Sequence, residues 1–122
     1  RAAIEALTGD LTPSQDMLKA FTDRRKRILE LLAAIPNVAC SEPDGAFYVF
    51  PKIDAYFGKK NGDTVVSNAD DLSMYLLNTA HVSTVSGNAF GEPTCIRLSF
   101  ANSMSNIEKA VERIRKALLA LQ

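Results

Sequence analysis

The stretch TCIRLSFANSMSNIEKAVERIRKALLAL, residues 94–121, carries two periodicities side by side, and the change from one to the other sets the fold class. From Thr94 to Phe100 the residues alternate: Ile96, Leu98 and Phe100 project to one side, Cys95, Arg97 and Ser99 to the other, as a half-buried strand requires. From Ile107 the spacing becomes helical. Ile107, Val111, Ile114, Leu118 and Leu121 lie four, three, four and three residues apart, which gives one apolar stripe facing a core. Ser105 and Glu108 have capping-box spacing and predict where that helix starts.

Upstream of this strand and helix, Ser86 to Pro93 (SGNAFGEP) is a glycine-containing loop, and Val82 to Val85 has β propensity. Asn68 or Asp70 caps a short helix with Leu72, Tyr75, Leu76 and Thr79 on one face. Residues 52–68, rich in Gly, Lys, Asn and Asp, read as an exposed loop. Ala46 to Phe50 is an aromatic, β-branched strand ending at Pro51; it follows a Pro43-Asp44-Gly45 turn and a short strand candidate at Val38 to Ser41. Thr12, Pro13 and Gln15 announce a long helix over about residues 13 to 35, with Leu18, Phe21, Ile28, Leu32 and Ile35 along one face. Ala2 to Leu7, ending at Gly9, reads as the tail of a helix already under way, and with Arg1 in place of Met it suggests a piece of a longer chain. Helices alternating with strands predict an α+β fold: a small layered sandwich in which a short mixed or antiparallel sheet is packed by the long helix of the N-terminal half and the C-terminal amphipathic helix.

Composition narrows the function. The chain has 122 residues, 14 Lys plus Arg against 14 Asp plus Glu, and 47% hydrophobic residues, which describes one globular domain with no general polyanion-binding surface. No apolar run approaches the length of about 20 residues that crosses a bilayer. Neither nucleic acid nor membrane is expected as a partner. Cys40 and Cys95 make no disulfide framework and read as reduced thiols, consistent with a cytoplasmic protein. His81, the only histidine, has no paired ligand spacing around it, so no metal site is expected. The run Arg24-Arg25-Lys26-Arg27 wraps more than a full helical turn and reads as a solvated face or an interdomain contact. Arg97 is different, because a guanidinium on a rigid strand can fork two hydrogen bonds onto a carboxylate; an ordinary surface or ion-paired arginine is the alternative reading of the same residue.

Four ordered segments, TPSQDMLKAFTDRRKRILELLAAIPNV (12–38), PDGAFYVFP (43–51), HVSTVSGNAFGEPTCIRLSFANS (81–103) and IEKAVERIRKAL (107–118), resemble the C-terminal domain of class I pyridoxal-phosphate aminotransferases, the aspartate aminotransferase branch above all. The resemblance implies that residues 1–10 end an interdomain segment and that 11–122 form the small domain, with the large domain of the same chain as its partner in a homodimer. It implies that Arg97 binds the α-carboxylate of the substrate and that Phe47, with Tyr48, helps shape the pocket. Amino acids such as L-aspartate and 2-oxo acids such as 2-oxoglutarate would be the substrates, and pyridoxal phosphate the cofactor of the full-length enzyme. Ser86 stands where the family often has proline, a departure that loosens the loop. None of the lysines lies in the family's Schiff-base motif, so no catalytic or cofactor-binding residue is expected here, and the isolated chain is expected to be inactive. Two alternatives share this architecture: a freestanding binding or regulatory module, and the small domain of a related lyase or of another aminotransferase.

Overall fold

The apolar stripe beginning at Ile107 builds the longest-range packing in the fold. In the computed structural model, which describes residues 2–122, helix α4 (Met104–Leu119) buries Ile107, Val111, Ile114 and Leu118, and Leu121 just beyond it, to 1–4% exposure. These side chains meet Ile28 and Leu32 of helix α2 (Thr12–Ala33) and Ile35 after it, so the two predicted amphipathic helices share one core. Arg27 of α2 ties them at the rim through a 2.8 Å ion pair with Glu108. That pair also accounts for a correction. Glu108 does not close a capping box with Ser105; α4 starts earlier, and the Ser103 hydroxyl caps it by accepting from the Asn106 N–H at 3.2 Å.

The start of α2 differs in the same way. Asp10, not Thr12, supplies the acceptor: its Oδ1 accepts from the Thr12 hydroxyl at 2.7 Å and the Thr12 N–H at 2.9 Å, and these bonds hold the Asp10 carboxyl below its ordinary range. A short helix, α1 (Ala2–Thr8), precedes this corner. Along α2 the apolar face is covered increasingly toward its C-terminal end: Leu18 is 68% exposed, Phe21 is half-buried against the core, and Leu32 is 1% exposed.

The sheet is wholly antiparallel, which resolves the expectation of a mixed or antiparallel one. Strand β5 (Ile96–Ser99) lies between β1 (Tyr48–Val49) and β4 (Val85–Ser86), with Val49 opposite Leu98, Tyr48 opposite Ser99 and Val85 opposite Arg97. Ile96, Leu98 and Phe100 enter the core as their alternation predicts. The strands are shorter than their sequence limits. Val38 to Ser41 contributes a single bridge, Ala39 to Lys52, and Ala46 adopts a left-handed φ of 59° that keeps it and Phe47 out of β1. Val82 to Thr84 likewise lies outside the ladder, although Val82 is buried.

The expectation of an exposed loop over 52–68 is overturned. This segment forms a 3₁₀ turn (Asp54–Tyr56) and a hairpin, β2 (Lys59–Asn61) with β3 (Thr64–Val66), closed by Gly62 at φ +58°. Ile53, Tyr56 and Val66 reach 0–4% exposure, and the Tyr56 hydroxyl donates to the Pro36 carbonyl at 2.5 Å. Three well-spaced apolar side chains suffice to seat a polar ribbon. Helix α3 (Ala69–Tyr75), capped by the Asn68 side chain, passes into a π turn at Leu76–Ala80. The wider turn rotates the face, so Thr79 is exposed and Ala80 is buried.

Tyr75 joins three elements, because its hydroxyl donates to the Ala117 carbonyl of α4 and accepts from Asn61 Nδ2 of β2, both at 3.0 Å. Tyr75→Phe leaves these groups short of a partner and is expected to lower stability by about 1–2 kcal/mol, read as a shift of the urea midpoint at unchanged m-value.

Candidate functional site

Arg97 projects from the middle strand on the face opposite the core, half-buried. Its guanidinium carbon lies 4.4 Å from the centre of the Tyr48 ring and 4.4 Å from that of the Phe90 ring. Two aromatic contacts thus hold the side chain. Among the described residues no carboxylate lies within ion-pairing distance of it, unlike Arg25, Arg27 and Arg115, each of which has one at 2.8–3.4 Å. Among the described residues the internal ion pair that would have assigned Arg97 a purely structural role is absent, and its side-chain N–H groups make no hydrogen bond.

Each ring comes from a different local device. Tyr48 is aimed by its register, since it stands opposite Ser99, two residues from Arg97 on the same face. Phe90 is delivered by the Ser86 to Pro93 loop, whose middle is a 3₁₀ turn (Gly87–Phe90) ended by Gly91 at φ +76°. The Ser86 hydroxyl accepts from the Asn88 N–H at 3.3 Å, so the residue standing at the family's proline position braces the loop by a hydrogen bond instead of a fixed φ. Asn88 Nδ2 then ties the turn to Asp70 at 2.5 Å, and Phe50 packs edge-on to Phe90 with centroids 6.0 Å apart. At the loop's exit the Thr94 hydroxyl, and then its N–H, keep the Glu92 carboxyl below its ordinary range.

Phe47 stands one ring further out. Its centroid is 4.4 Å from Tyr48 and 6.3 Å from Phe21, and with Ser14, Met17, Leu18 and Ala46 it lines an open apolar groove of about 300 Å³. Of the two aromatics singled out in the sequence, Tyr48 touches Arg97 and Phe47 supports Tyr48. Phe90 was not singled out; its signal is an aromatic placed just before a glycine in the loop that feeds the arginine strand.

The comparisons with known proteins converge on this architecture. The family description "Aminotransferase class I and II" matches residues 1–114. The chain belongs to this aminotransferase family. It is 41% identical over its whole length to 26% of a bifunctional aspartate aminotransferase and glutamate/aspartate-prephenate aminotransferase of Petunia hybrida. Over 95% of its length it is 40% identical to 28% of an aspartate aminotransferase of Streptomyces avermitilis. The crystal structure of an aspartate aminotransferase from Rhizobium meliloti superposes on 99% of the chain with a TM-score of 0.93 and 34% identity, over 30% of that protein. The chain therefore spans between a quarter and a third of the length of these relatives.

Aminotransferases of this family work through pyridoxal phosphate, and the residues of this chain do not fit that group. A Schiff-base lysine must be desolvated and enclosed. Lys19, Lys26, Lys52, Lys60, Lys109 and Lys116 are exposed, and half-buried Lys59 lies over the Tyr56 ring at 5.8 Å. The other sequence candidates also take structural roles. Arg25 donates to the Pro43 carbonyl at 2.7 Å, and Arg24 lies 5.2 Å from the Phe21 ring. Burial pushes the Cys40 and Cys95 thiols up from their ordinary value, opposite to what a reactive thiolate needs. No cluster of three His, Cys, Asp or Glu side chains suited to a metal, and no helix long and apolar enough to cross a membrane, occurs among the described residues.

Gly87 controls the whole arrangement, because a Cβ there would collide with the Glu92 carbonyl oxygen and lie 2.5 Å from that of Cys95. Both obstacles are backbone. Gly87→Ala is expected to cost about 2–4 kcal/mol and to release Phe90 from Arg97, visible as loss of the ring-current shift on the Arg97 Nε–H resonance.

Proposed function

We propose that this chain is the substrate-clamping small domain of an aspartate aminotransferase-like enzyme, with residues 11–122 as that domain and 1–10 closing the segment that joins it to a large domain. The observation that supports this most is the Arg97 guanidinium, held 4.4 Å from the centres of both the Tyr48 and Phe90 rings with no carboxylate in ion-pairing distance among the described residues. A guanidinium so held is preorganised for a carboxylate, because the aromatic contacts restrain the side chain and engage no N–H donor in an ion pair, which leaves the fork for the ligand. The substrates are amino acids such as aspartate or glutamate and 2-oxo acids, a choice supported by the names of the relatives from Petunia and Streptomyces. Pyridoxal phosphate supplies the electron sink when it is bound by the full-length protein. The part played by this chain is to fix the common carboxylate, orient the substrate and cover it from water. Phe47 shapes the pocket through Tyr48.

The test is steady-state kinetics of the full-length enzyme. Arg97→Ala is expected to lower kcat/KM by about 100-fold or more, and Arg97→Lys by less, since it keeps the charge and loses the fork. Cofactor absorbance should be unchanged in both. Phe47→Ala should raise KM by a smaller factor. Unchanged kinetics in Arg97→Ala would overturn the assignment, and a stoichiometric absorbance shift on mixing the isolated chain with pyridoxal phosphate would overturn the division of labour between domains.

A further inference from the structure

A second concave site lies behind the strand that carries Arg97. Its floor is apolar, formed by Ile28, Leu98, Ile107 and Ile114, and the cavity measures about 510 Å³. Its rim is not apolar. Lys109 and Arg113, four residues apart on α4, stand on one side; His81 and Ser83, on the segment leading into β4, stand on the other. No Asp or Glu lines the cavity, although the chain holds as many acidic as basic residues. Neither Lys109 nor Arg113 has a carboxylate within ion-pairing distance among the described residues, whereas the neighbouring cations of the same helix, Arg115 and Lys116, both pair with Glu112 at 2.8 and 3.6 Å. That pairing, the Arg115 hydrogen bonds above all, draws Glu112 down to about 2 and commits its carboxylate oxygens to those two cations.

Two more donors face the same space. Asn102 Oδ1 already accepts from the Ser103 N–H at 2.8 Å and from Asn106 Nδ2 at 2.9 Å, which leaves the Asn102 amide nitrogen as its unused end. Asn102, just before the Ser103 cap, and Asn106, in the first turn of α4, both line the cavity, near the helix end whose dipole adds partial positive charge. His81 is held at the rim by a left-handed backbone, φ 54°, that ends the π turn after α3.

From this juxtaposition we infer that the cavity between α4 and the His81–Ser83 segment binds a small multivalent oxyanion, a phosphate ester or a polycarboxylate, at a site separate from Arg97. Lys109 and Arg113 supply the charge, Asn102 and Ser83 the neutral donors, and the apolar floor excludes water beneath the ligand. The relevant charge is local. It arises from where the cations stand and not from any excess of them in the sequence.

Isothermal titration of the full-length protein, loaded with its cofactor and carrying Arg97→Ala to silence the first site, tests this with inorganic pyrophosphate and citrate as separate probes at low ionic strength. One saturable site per chain is expected for at least one probe. Its affinity should fall by about tenfold or more when Lys109→Gln and Arg113→Gln are added, and hold when exposed Lys26 on α2 is replaced by Gln instead. Heat from pyrophosphate alone would mark a phosphate site, and heat from citrate alone a polycarboxylate site; either supports the inference. No saturable heat from either probe, or an affinity indifferent to the Lys109 and Arg113 changes, would overturn it. Both replaced side chains are exposed, so an unchanged melting temperature verifies that the fold is intact. Because Arg97 is already removed, the result is independent of whether Arg97 clamps substrate.

Discussion

A cation on a sheet face must be neutralised, solvated or immobilised with its charge intact, and Arg97 is held in the third way. Strand β5 makes this possible: Ile96, Leu98 and Phe100 are anchored in the core at 1–7% exposure, so the intervening side chain is fixed in position from beneath. Tyr48 and Phe90 then restrain it from the sides, each with its ring centre 4.4 Å from the guanidinium carbon. An exposed cation–π contact contributes about 0.5–1 kcal/mol, whereas a hydrogen bond to a charged group contributes about 1.5–3 kcal/mol. On the proposed reading, an incoming carboxylate has no need to displace either ring. It would use the N–H donors that the rings leave without a charged partner, and the two sets of interactions would add. A resident Asp or Glu would have occupied that edge and forced a ligand to displace it.

Among the described residues three non-glycine ones are held in the left-handed region, Asn37, Ala46 and His81, and one of them lies beside this device. Ala46, a residue with a Cβ, takes φ 59° immediately before Phe47 and Tyr48, a conformation that costs about 1 kcal/mol or more. The turn sets the direction in which the chain enters β1 and hence the face on which Tyr48 lies. On the opposite side of Arg97, the loop from Ser86 to Pro93 passes so close to its own backbone that Gly87 cannot carry a side chain. Two backbone constraints, one on each flank, aim two rings at one guanidinium. The large shared core of α2, α4 and the sheet offsets both.

Much of this was legible in the sequence because period is a strong signal wherever an element is long. The stripes of α2 and α4 and the alternation of β5 gave the layers, and alternation alone placed Arg97 opposite the core. What escaped was short or mixed. The hairpin at Lys59 to Val66 buries few side chains and presents polar ones along most of its length, so its composition imitates a loop; its signal was Gly62 between residues able to pair. The π turn after α3 moved burial from Thr79 to Ala80, a phase shift that no helical template anticipates. The capping side chains of α2 and α4 each fell two residues from their expected places, because several Ser, Thr and Asp side chains compete for the same N–H groups and the backbone decides among them. Phe90 was missed since a lone loop aromatic carries no periodicity at all.

Charge is the remaining link between sequence and site. Equal numbers of acidic and basic residues exclude a broad field able to hold a long polyanion, yet they place no limit on a small anion, because screening confines each charge to about 8–10 Å in physiological salt. Within that radius, pairing matters more than totals. Arg27 spends its charge on Glu108 to join two helices, and Arg115 and Lys116 spend theirs on Glu112. Arg97, Lys109 and Arg113 have no carboxylate within ion-pairing distance among the described residues, and each stands where the backbone has already set its position. A neutral chain can thus present strongly positive points, provided its carboxylates are committed elsewhere. Here the commitments are visible: Glu108 and Glu112, which flank Lys109 and Arg113 on α4, both pair with other cations, which leaves the cavity side of the helix positive.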